Sequence, residues 1–272
     1  MRAAPLAEVD DAALFGGKAA QLGASLRAGL PVPGGFALSH ELVEAVARGH
    51  AAALADVRAL GAAERGPLAV RSSGVGEDGA EQSFAGQHAS VLNVVGVEAL
   101  CAAVTAVHAS GSTESARAYR RRMGVSGEAR VGVVVQRLVD AACAGVMFTR
   151  DPLSGADVRV IEASWGLGEA VVQGLVTPDR VRLARAGRAL ERAVGHKDLA
   201  VQRGPDGGVR EVELDPERAA APCLDDAMIA ALGALATRCE AVFGDGLDVE
   251  WAFADGALHL LQVRAITRRG GG

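Results

Sequence analysis

Near its carboxyl end the chain reads Asp248-Val249-Glu250-Trp251-Ala252-Phe253 and then Leu258-His259-Leu260-Leu261-Gln262-Val263-Arg264. A turn at Asp255-Gly256 joins these two strand-like runs, so the pattern predicts a β-hairpin. Alternate residues of a strand lie on one face, which places Asp248 beside Glu250 on the first strand. By the same rule Gln262 and Arg264 share a face on the second strand. If the hairpin closes, two carboxylates, an amide and a guanidinium meet on one surface of the sheet.

This hairpin face carries the side chains that a site for a metal and a phosphate needs. Carboxylate and amide oxygens suit Mg²⁺, and arginine suits a phosphate that the metal also contacts. The alternative interpretation is a solvated hairpin face with scattered charges, and the hairpin alone favours that alternative. Motifs elsewhere in the chain decide between the two.

Composition limits the classes of protein to be considered. The 272 residues are 50% hydrophobic but only 3% aromatic, so the core must consist mainly of Ala, Val and Leu. A formal net charge of -5 gives no sign of a nucleic-acid or membrane partner. The N-terminus lacks an apolar signal core, and no apolar run reaches the roughly 18 residues that span a bilayer. We therefore expect a cytoplasmic protein.

The cysteines and histidines give no sign of a zinc site. Cys101, Cys143, Cys223 and Cys239 are not in CxxC spacing, and the six histidines lack metal-ligand spacing. The cysteines are predicted to be small core residues in a reducing compartment.

Three short motifs are candidates for contacts with a nucleotide. Gly16-Gly17-Lys18 precedes a helical apolar pattern, and a helix N-terminus favours anions, although the full P-loop spacing is missing. Arg71 ends a short strand and is followed by a loop rich in Ser and Gly, a plausible phosphate clamp. Gln136 ends a buried strand and could read an adenine edge. The alternatives are an ordinary turn, a solvated arginine and a polar cap of the sheet.

Two more motifs have a functional and a structural interpretation. Trp165-Gly166-Leu167-Gly168-Glu169 is either an active-site loop or a Gly-rich turn held by the tryptophan. Lys197, which follows His196, is either a phosphate contact or an exposed lysine before a strand.

Taken in order, these motifs resemble one family, the N-terminal nucleotide-binding domain of phosphoenolpyruvate synthase, pyruvate phosphate dikinase and rifampicin phosphotransferase. The resemblance covers about residues 10–267. The matching stretches are Gly16-Gly17-Lys18 through Gly34-Gly35-Phe36, Val70-Arg71-Ser72-Ser73 through Ser83-Phe84-Ala85-Gly86-Gln87, Glu162 through Glu169, Gly174 through Asp179, and the hairpin through Thr267.

Helix-like and strand-like patterns are intermixed along the chain, which predicts an α+β fold with two lobes. The resemblance implies that this is the ATP-grasp fold, in which two α+β lobes close on ATP and Mg²⁺. We place the first lobe at residues 1–137 and the second at 138–267, and we expect a disordered tail at 268–272.

The resemblance also implies a role for each candidate residue. Lys18 and Arg71 would contact phosphates, with Ser72, Ser73 and Lys197 as further nucleotide contacts. Gly86 and Ser90 would line the nucleotide cleft, and Gln136 would lie near the base. Asp248, Glu250 and Gln262 would hold Mg²⁺, and Arg264 would stabilise the phosphate being transferred. Lys18, Arg71 and Arg264 would be the catalytic residues. One departure from the family pattern is Gly74-Val75-Gly76, where the usual alanine-threonine-alanine would supply a hydroxyl.

In this family the phosphate passes from ATP to a histidine on a separate swivelling domain, and from there to the acceptor. Only eight residues follow Arg264, so we expect that histidine on a separate partner protein. The alternatives are a stand-alone kinase acting on a small-molecule hydroxyl or carboxylate, and a non-catalytic regulatory module that binds a nucleotide. An internal acceptor, His196 or His259, is a further alternative, but strand parity predicts that His259 faces away from Arg264.

Overall fold

The computed structural model describes residues 1–75, 90–111, 113 and 130–266. Helices and strands are mixed along the chain, which confirms the α+β class. The first compact unit comprises Met1–Arg27, Pro33–Leu138 and Gly204–Gly208, and the second comprises Ala28–Val32, Val139–Arg203 and Val209–Gly272. The lobe boundary after residue 137 stays a prediction, and the expected tail at 268–272 lies outside the described residues.

The first unit contains a five-stranded antiparallel sheet in the order β1-β2-β5-β3-β4. Its strands are β1 (Ala3–Pro5), β2 (Gly35–Leu38), β3 (Leu68–Gly74), β4 (Ser90–Val94) and β5 (Val131–Arg137). Its helices are α1 (Ala12–Phe15), α2 (Gly17–Arg27), α3 (His40–Ala47), α4 (Ala51–Ala63) and α5 (Val97–Ser110), with a 3-10 turn at Leu6–Glu8.

Strand alternation gives the first-unit sheet one apolar face. Leu68 and Val70 of β3 and Val133 of β5 belong to a buried cluster with side chains of α3, α4 and α5, such as Val57 and Leu100. Because neighbours along a strand point to opposite faces, the residues between these positions lie on the other face. That second face carries most of the candidate residues of this unit.

The second unit contains a six-stranded antiparallel sheet in the order β13-β12-β6-β7-β8-β9 and a two-stranded sheet of β10 and β11. Its strands are β6 (Cys143–Phe148), β7 (Val158–Trp165), β8 (Asp179–Ala184), β9 (Ala189–Ala193), β10 (Leu199–Arg203), β11 (Val209–Glu213), β12 (Leu247–Ala254) and β13 (Ala257–Ala265). Its helices are α6 (Glu169–Val172), α7 (Pro216–Ala220) and α8 (Asp226–Phe243).

Helix α8 covers one face of the six-stranded sheet. It begins after Asp225, whose carboxylate accepts a hydrogen bond from the Met228 amide at 2.7 Å, as an N-cap does. Arg159 of β7 reaches the helix, where it donates to the Gly233 carbonyl at 2.7 Å and pairs with Glu240 at 2.9 Å. Helix α8 does not cover the opposite face of the sheet. Neither α8 nor any other helix in the described ranges is long and apolar enough to cross a membrane.

All four cysteines are free and buried, as predicted for core residues. Cys101 lies in the first unit, and the other three lie in the second. Burial raises the pKa of the Cys143 thiol to about 12 and that of Cys239 to about 11. These thiols are therefore protonated at neutral pH, which fits a packing role.

Candidate functional site

Several predicted residues share the second face of the first-unit sheet. Arg71 lies opposite Ser90 of β4, and Ala69 lies opposite Gln136 of β5. Since Ala69, Arg71 and Ser73 alternate along β3, all five side chains are on one side of the sheet. We call this surface the first-unit face. Sequence reasoning chose four of these five residues, and the structure brings them together.

Helix α2 is held against the first-unit face at its first turn. The Ala19 amide donates to Ser73 Oγ at 3.0 Å. Gly16 has a φ of 83°, and a Cβ at that position would lie 2.0 Å from the Ser73 carbonyl oxygen. Only glycine allows this close approach, which explains the glycine at position 16. Lys18 is half-buried in this first turn, on the segment that contacts Ser73.

The remaining predictions for the first unit have different environments. Ser72 lies on the helix-covered face with Val70, is buried, and has an Oγ without a hydrogen-bond partner among the described residues. Gln136 is only 2% exposed, and its amide donates to the Pro33 carbonyl at 3.2 Å. Gly86 lies outside the described residues.

The predicted hairpin is present as β12 and β13. Asp248 lies opposite Arg264, and Glu250 lies opposite Gln262, so these four side chains share one face. Residues between them, such as Val249 and Trp251, are fully buried on the face that α8 covers. We call the surface with the polar side chains the hairpin face.

Asp248 and Arg264 form an ion pair that uses only part of each group. Arg264 Nε donates to Asp248 Oδ2 at 2.8 Å, and Arg264 Nη2 lies 2.7 Å from the same oxygen. Asp248 is 8% exposed, and its Oδ1 is buried without a hydrogen-bond partner in the described part of the chain. Burial raises the pKa of Asp248, the charge of Glu250 raises it further, and Arg264 only partly opposes this rise. The carboxylate therefore has a buried lone pair that a cation would satisfy.

The side chains of the hairpin face fit a hard cation such as Mg²⁺. They offer carboxylate oxygens from Asp248 and Glu250 and an amide oxygen from Gln262, which are the ligand types that Mg²⁺ prefers. Among the described residues, no three His, Cys, Asp or Glu side chains are grouped to hold a metal ion by themselves. A cation here would complete its coordination with water and a ligand's phosphates, as Mg²⁺ commonly does.

The side chain of Lys197 lies in a buried ion pair, which neither the predicted phosphate contact nor the predicted exposed lysine described. Its side chain is fully buried, so the alternative of an exposed lysine is wrong. Lys197 Nζ pairs with Asp179 Oδ1 and donates to the Gly195 carbonyl at 3.2 Å. Asp179 also accepts hydrogen bonds from the Gly195 amide at 2.9 Å and the Cys223 amide at 2.8 Å. A contact between Lys197 and a nucleotide stays a prediction.

His259 lies on the hairpin face, so the prediction from strand parity is wrong. Glu250 pairs with Gln262 but Trp251 pairs with Leu260, which leaves Leu261 as an extra residue in β13. Such a β-bulge reverses the alternation on one side of it. In the sequence the adjacent pair Leu260-Leu261 interrupts the regular exchange of polar and apolar residues, but the same pair also fits a regular strand.

The loop after β7 also shows a structural role for its tryptophan. Trp165 Nε1 donates to the Arg218 carbonyl at 3.0 Å, and the Arg218 guanidinium lies 4.8 Å from the ring centroid. Gly166 has a φ of 76°, as a sharp turn requires. These contacts agree with a glycine-rich turn held by the tryptophan, and the interpretation as an active-site loop stays a prediction.

Comparison with known proteins confirms the resemblance seen in the motifs. The family described as "Pyruvate phosphate dikinase, AMP/ATP-binding domain" matches residues 39–271. Rifampicin phosphotransferase of Streptomyces sviceus is 43% identical over 206 residues, which cover 75% of this chain and 24% of that protein. A Methanothermobacter thermautotrophicus protein named "Probable phosphoenolpyruvate synthase" is 42% identical over 205 residues, which cover 75% of this chain and 30% of that protein. The matched regions are thus less than a third of either relative's length.

Among solved structures, an L-amino acid ligase from Bacillus licheniformis aligns with 96% of this chain and 44% of its own. The sequence identity is 14% and the TM-score is 0.41, so this likeness carries no argument about the site.

Proposed function

Because this chain belongs to the family of pyruvate phosphate dikinase AMP/ATP-binding domains, we propose that it binds ATP with Mg²⁺ and starts a phosphoryl transfer. The observation that carries the proposal is the hairpin face, where a buried carboxylate oxygen without a partner lies beside an arginine, a second carboxylate and an amide. The two α+β units agree with the ATP-grasp fold that the motifs imply.

In this proposal the first-unit face binds the nucleotide. Lys18 and Arg71 supply positive charge to the phosphates, and Ser73 and Ser90 offer hydroxyls on the same side of the sheet. Gln136, which is buried near the end of the central strand β5, contacts the base. Phosphoryl transfer requires mainly positioning and neutralisation of charge, and these residue types provide both.

On the hairpin face, Asp248, Glu250 and Gln262 hold the metal ion. Bound Mg²⁺ would neutralise the negative charge that the phosphate oxygens carry during transfer. Arg264 has a different task, because its side chain is 39% exposed and only two of its nitrogens contact Asp248. Its other N–H groups can donate to the phosphate being transferred while the ion pair holds the guanidinium in place.

The acceptor in this proposal is a histidine outside the 272 residues. A phosphorus–oxygen bond of ATP breaks while a phosphorus–nitrogen bond forms to the imidazole, which loses its proton to solvent. The rest of the nucleotide leaves with the bridging oxygen, as ADP or AMP. The names of the two relatives refer to different small molecules, rifampicin and phosphoenolpyruvate. This difference supports a shared ATP-binding domain combined with acceptor-specific regions elsewhere.

The test incubates the purified chain with β- and γ-labelled ATP and Mg²⁺, with and without the phosphohistidine domain of a rifampicin phosphotransferase. Label on that domain, found only when Mg²⁺ is present, is the expected result. Label that passes directly to an added small molecule without the domain would instead identify a stand-alone kinase. ATP that binds but is never cleaved would identify a regulatory module.

A further inference from the structure

The β-bulge at Leu261 decides which surface carries His259. If the register of Glu250 and Gln262 continued without a bulge, His259 would lie opposite Phe253, on the face covered by α8. The observed register places His259 opposite Ala252 instead. The extra residue therefore moves an imidazole from the apolar side of the hairpin to its polar side.

His259 belongs to the third of three consecutive cross-strand pairs on the hairpin face. The first pair is Asp248 with Arg264, and the second is Glu250 with Gln262. Neighbouring pairs are separated by two residues of β12, or about 7 Å along the strand. Ala252 adds only a methyl group to the third pair, so the imidazole is its polar group.

The surroundings leave the His259 ring accessible to a ligand. The residue is half-buried, and in the part of the chain that the structure describes its ring makes no hydrogen bond or ion pair. A partly buried imidazole without a protein partner can donate an N–H to a ligand oxygen. The nearest polar pair holds two of the proposed metal ligands, Glu250 and Gln262.

We propose that His259 is a further binding residue of the ATP site and donates a hydrogen bond to the polyphosphate group of the nucleotide. This inference rests on the proposed function, because the metal ligands one pair away place that polyphosphate at the hairpin face. A triphosphate is long enough to touch more than one pair, whereas the base and ribose would lie elsewhere. The residue would thus recognise the phosphates beyond the first one.

The experiment measures binding of Mg-ATP and of AMP by calorimetry, using the full chain and variants of one residue. His259→Phe keeps a ring but removes the donor, and we expect Mg-ATP to bind roughly tenfold more weakly, as for the loss of one hydrogen bond to a charged group. AMP affinity should change less than about twofold, because AMP lacks the contacted phosphates. His259→Gln keeps a donor and should remain within about threefold of the original affinity.

His50→Phe is the matched control, since His50 is exposed at the start of α4 and makes no side-chain capping bond. Equal Mg-ATP affinity in the original chain and His259→Phe would overturn this inference and leave the proposed function intact. Equal losses for Mg-ATP and AMP would also overturn it, because they would indicate a general structural role. An original chain that binds neither nucleotide would instead reject the proposed function itself.

Discussion

Two carboxylate–cation pairs of the second unit, Asp179 with Lys197 and Asp248 with Arg264, have the same charges but differ in how fully they are bonded. Asp179 accepts hydrogen bonds on both oxygens, and Lys197 is fully buried. Asp248 accepts on one oxygen only, and the Arg264 side chain is 39% exposed. A buried pair bonded on both carboxylate oxygens keeps less capacity for a ligand. The incomplete pair keeps a lone pair and several N–H groups for one.

The largest effect expected from this difference concerns stability at the completed pair. Lys197→Met leaves the Asp179 charge buried without its partner, so we expect the free energy of unfolding to fall by about 3–5 kcal/mol. Urea unfolding followed by circular dichroism measures this change. Arg203→Ala removes a more exposed pair with Asp140 and should cost less than about 1 kcal/mol. A Lys197→Met protein with unchanged stability and lost ATP binding would favour the predicted phosphate contact of Lys197.

For the pair of Asp248 and Arg264, removing the arginine should mainly affect catalysis. Arg264→Ala removes the group proposed to stabilise the transferred phosphate, so turnover should fall by roughly 10²–10³, equivalent to about 3–4 kcal/mol. ATP affinity should be nearly kept, because the interaction forms mainly in the transition state. Single-turnover transfer of label from ATP, with a separate binding titration, measures both quantities. Unchanged turnover would defeat the assignment of Arg264.

A smaller effect is expected for the metal. Asp248→Asn keeps the size of the side chain but replaces the proposed anionic ligand, so the Mg²⁺ concentration that gives half-maximal transfer should rise on the order of tenfold. ATP binding measured in EDTA should not change. Glu8→Gln, at an exposed position in the 3-10 turn Leu6–Glu8, is a control for the removal of one negative charge. Equal Mg²⁺ requirements in all three proteins would exclude Asp248 as a ligand.

The smallest effect concerns a third carboxylate, Asp245, which accepts hydrogen bonds from two arginines without being buried. Hydrogen bonds from Arg150 and Arg185 lower the pKa of Asp245, although its side chain is 46% exposed. Because the folded pKa lies below the unfolded value, this pair stabilises the fold above about pH 4 and the benefit is lost as the pH falls further. Asp245→Asn should remove less than about 1 kcal/mol at pH 7 and a smaller amount at pH 2, where part of the benefit is already lost. Unfolding curves at both pH values test this; an equal loss at pH 2 would contradict it.

The sequence predicted the parts of the site that depend on local pattern. Alternation alone placed Asp248 with Glu250 and Gln262 with Arg264, and the order of motifs identified the family. Two features of the site could not be predicted from the local pattern of residues, because they depend on the folded structure around them. The burial of Lys197 requires Asp179, which is 18 residues earlier in the chain. The position of His259 requires an extra residue in β13, and Leu260-Leu261 is equally compatible with a regular strand that exposes one leucine.

The reactivity of the four buried cysteines can report local opening of the structure without an added probe. A thiol reagent reacts with a thiolate that it can reach, so a buried thiol is modified only while the surrounding structure is transiently open. Cys101 samples the first unit, while Cys143, Cys223 and Cys239 sample the second. In a brief pulse of alkylation followed by mass spectrometry, a gain of one mass tag would identify opening of the first unit. A gain of three would identify opening of the second, and the labelling rate in the presence of ATP would show which of the two the nucleotide closes.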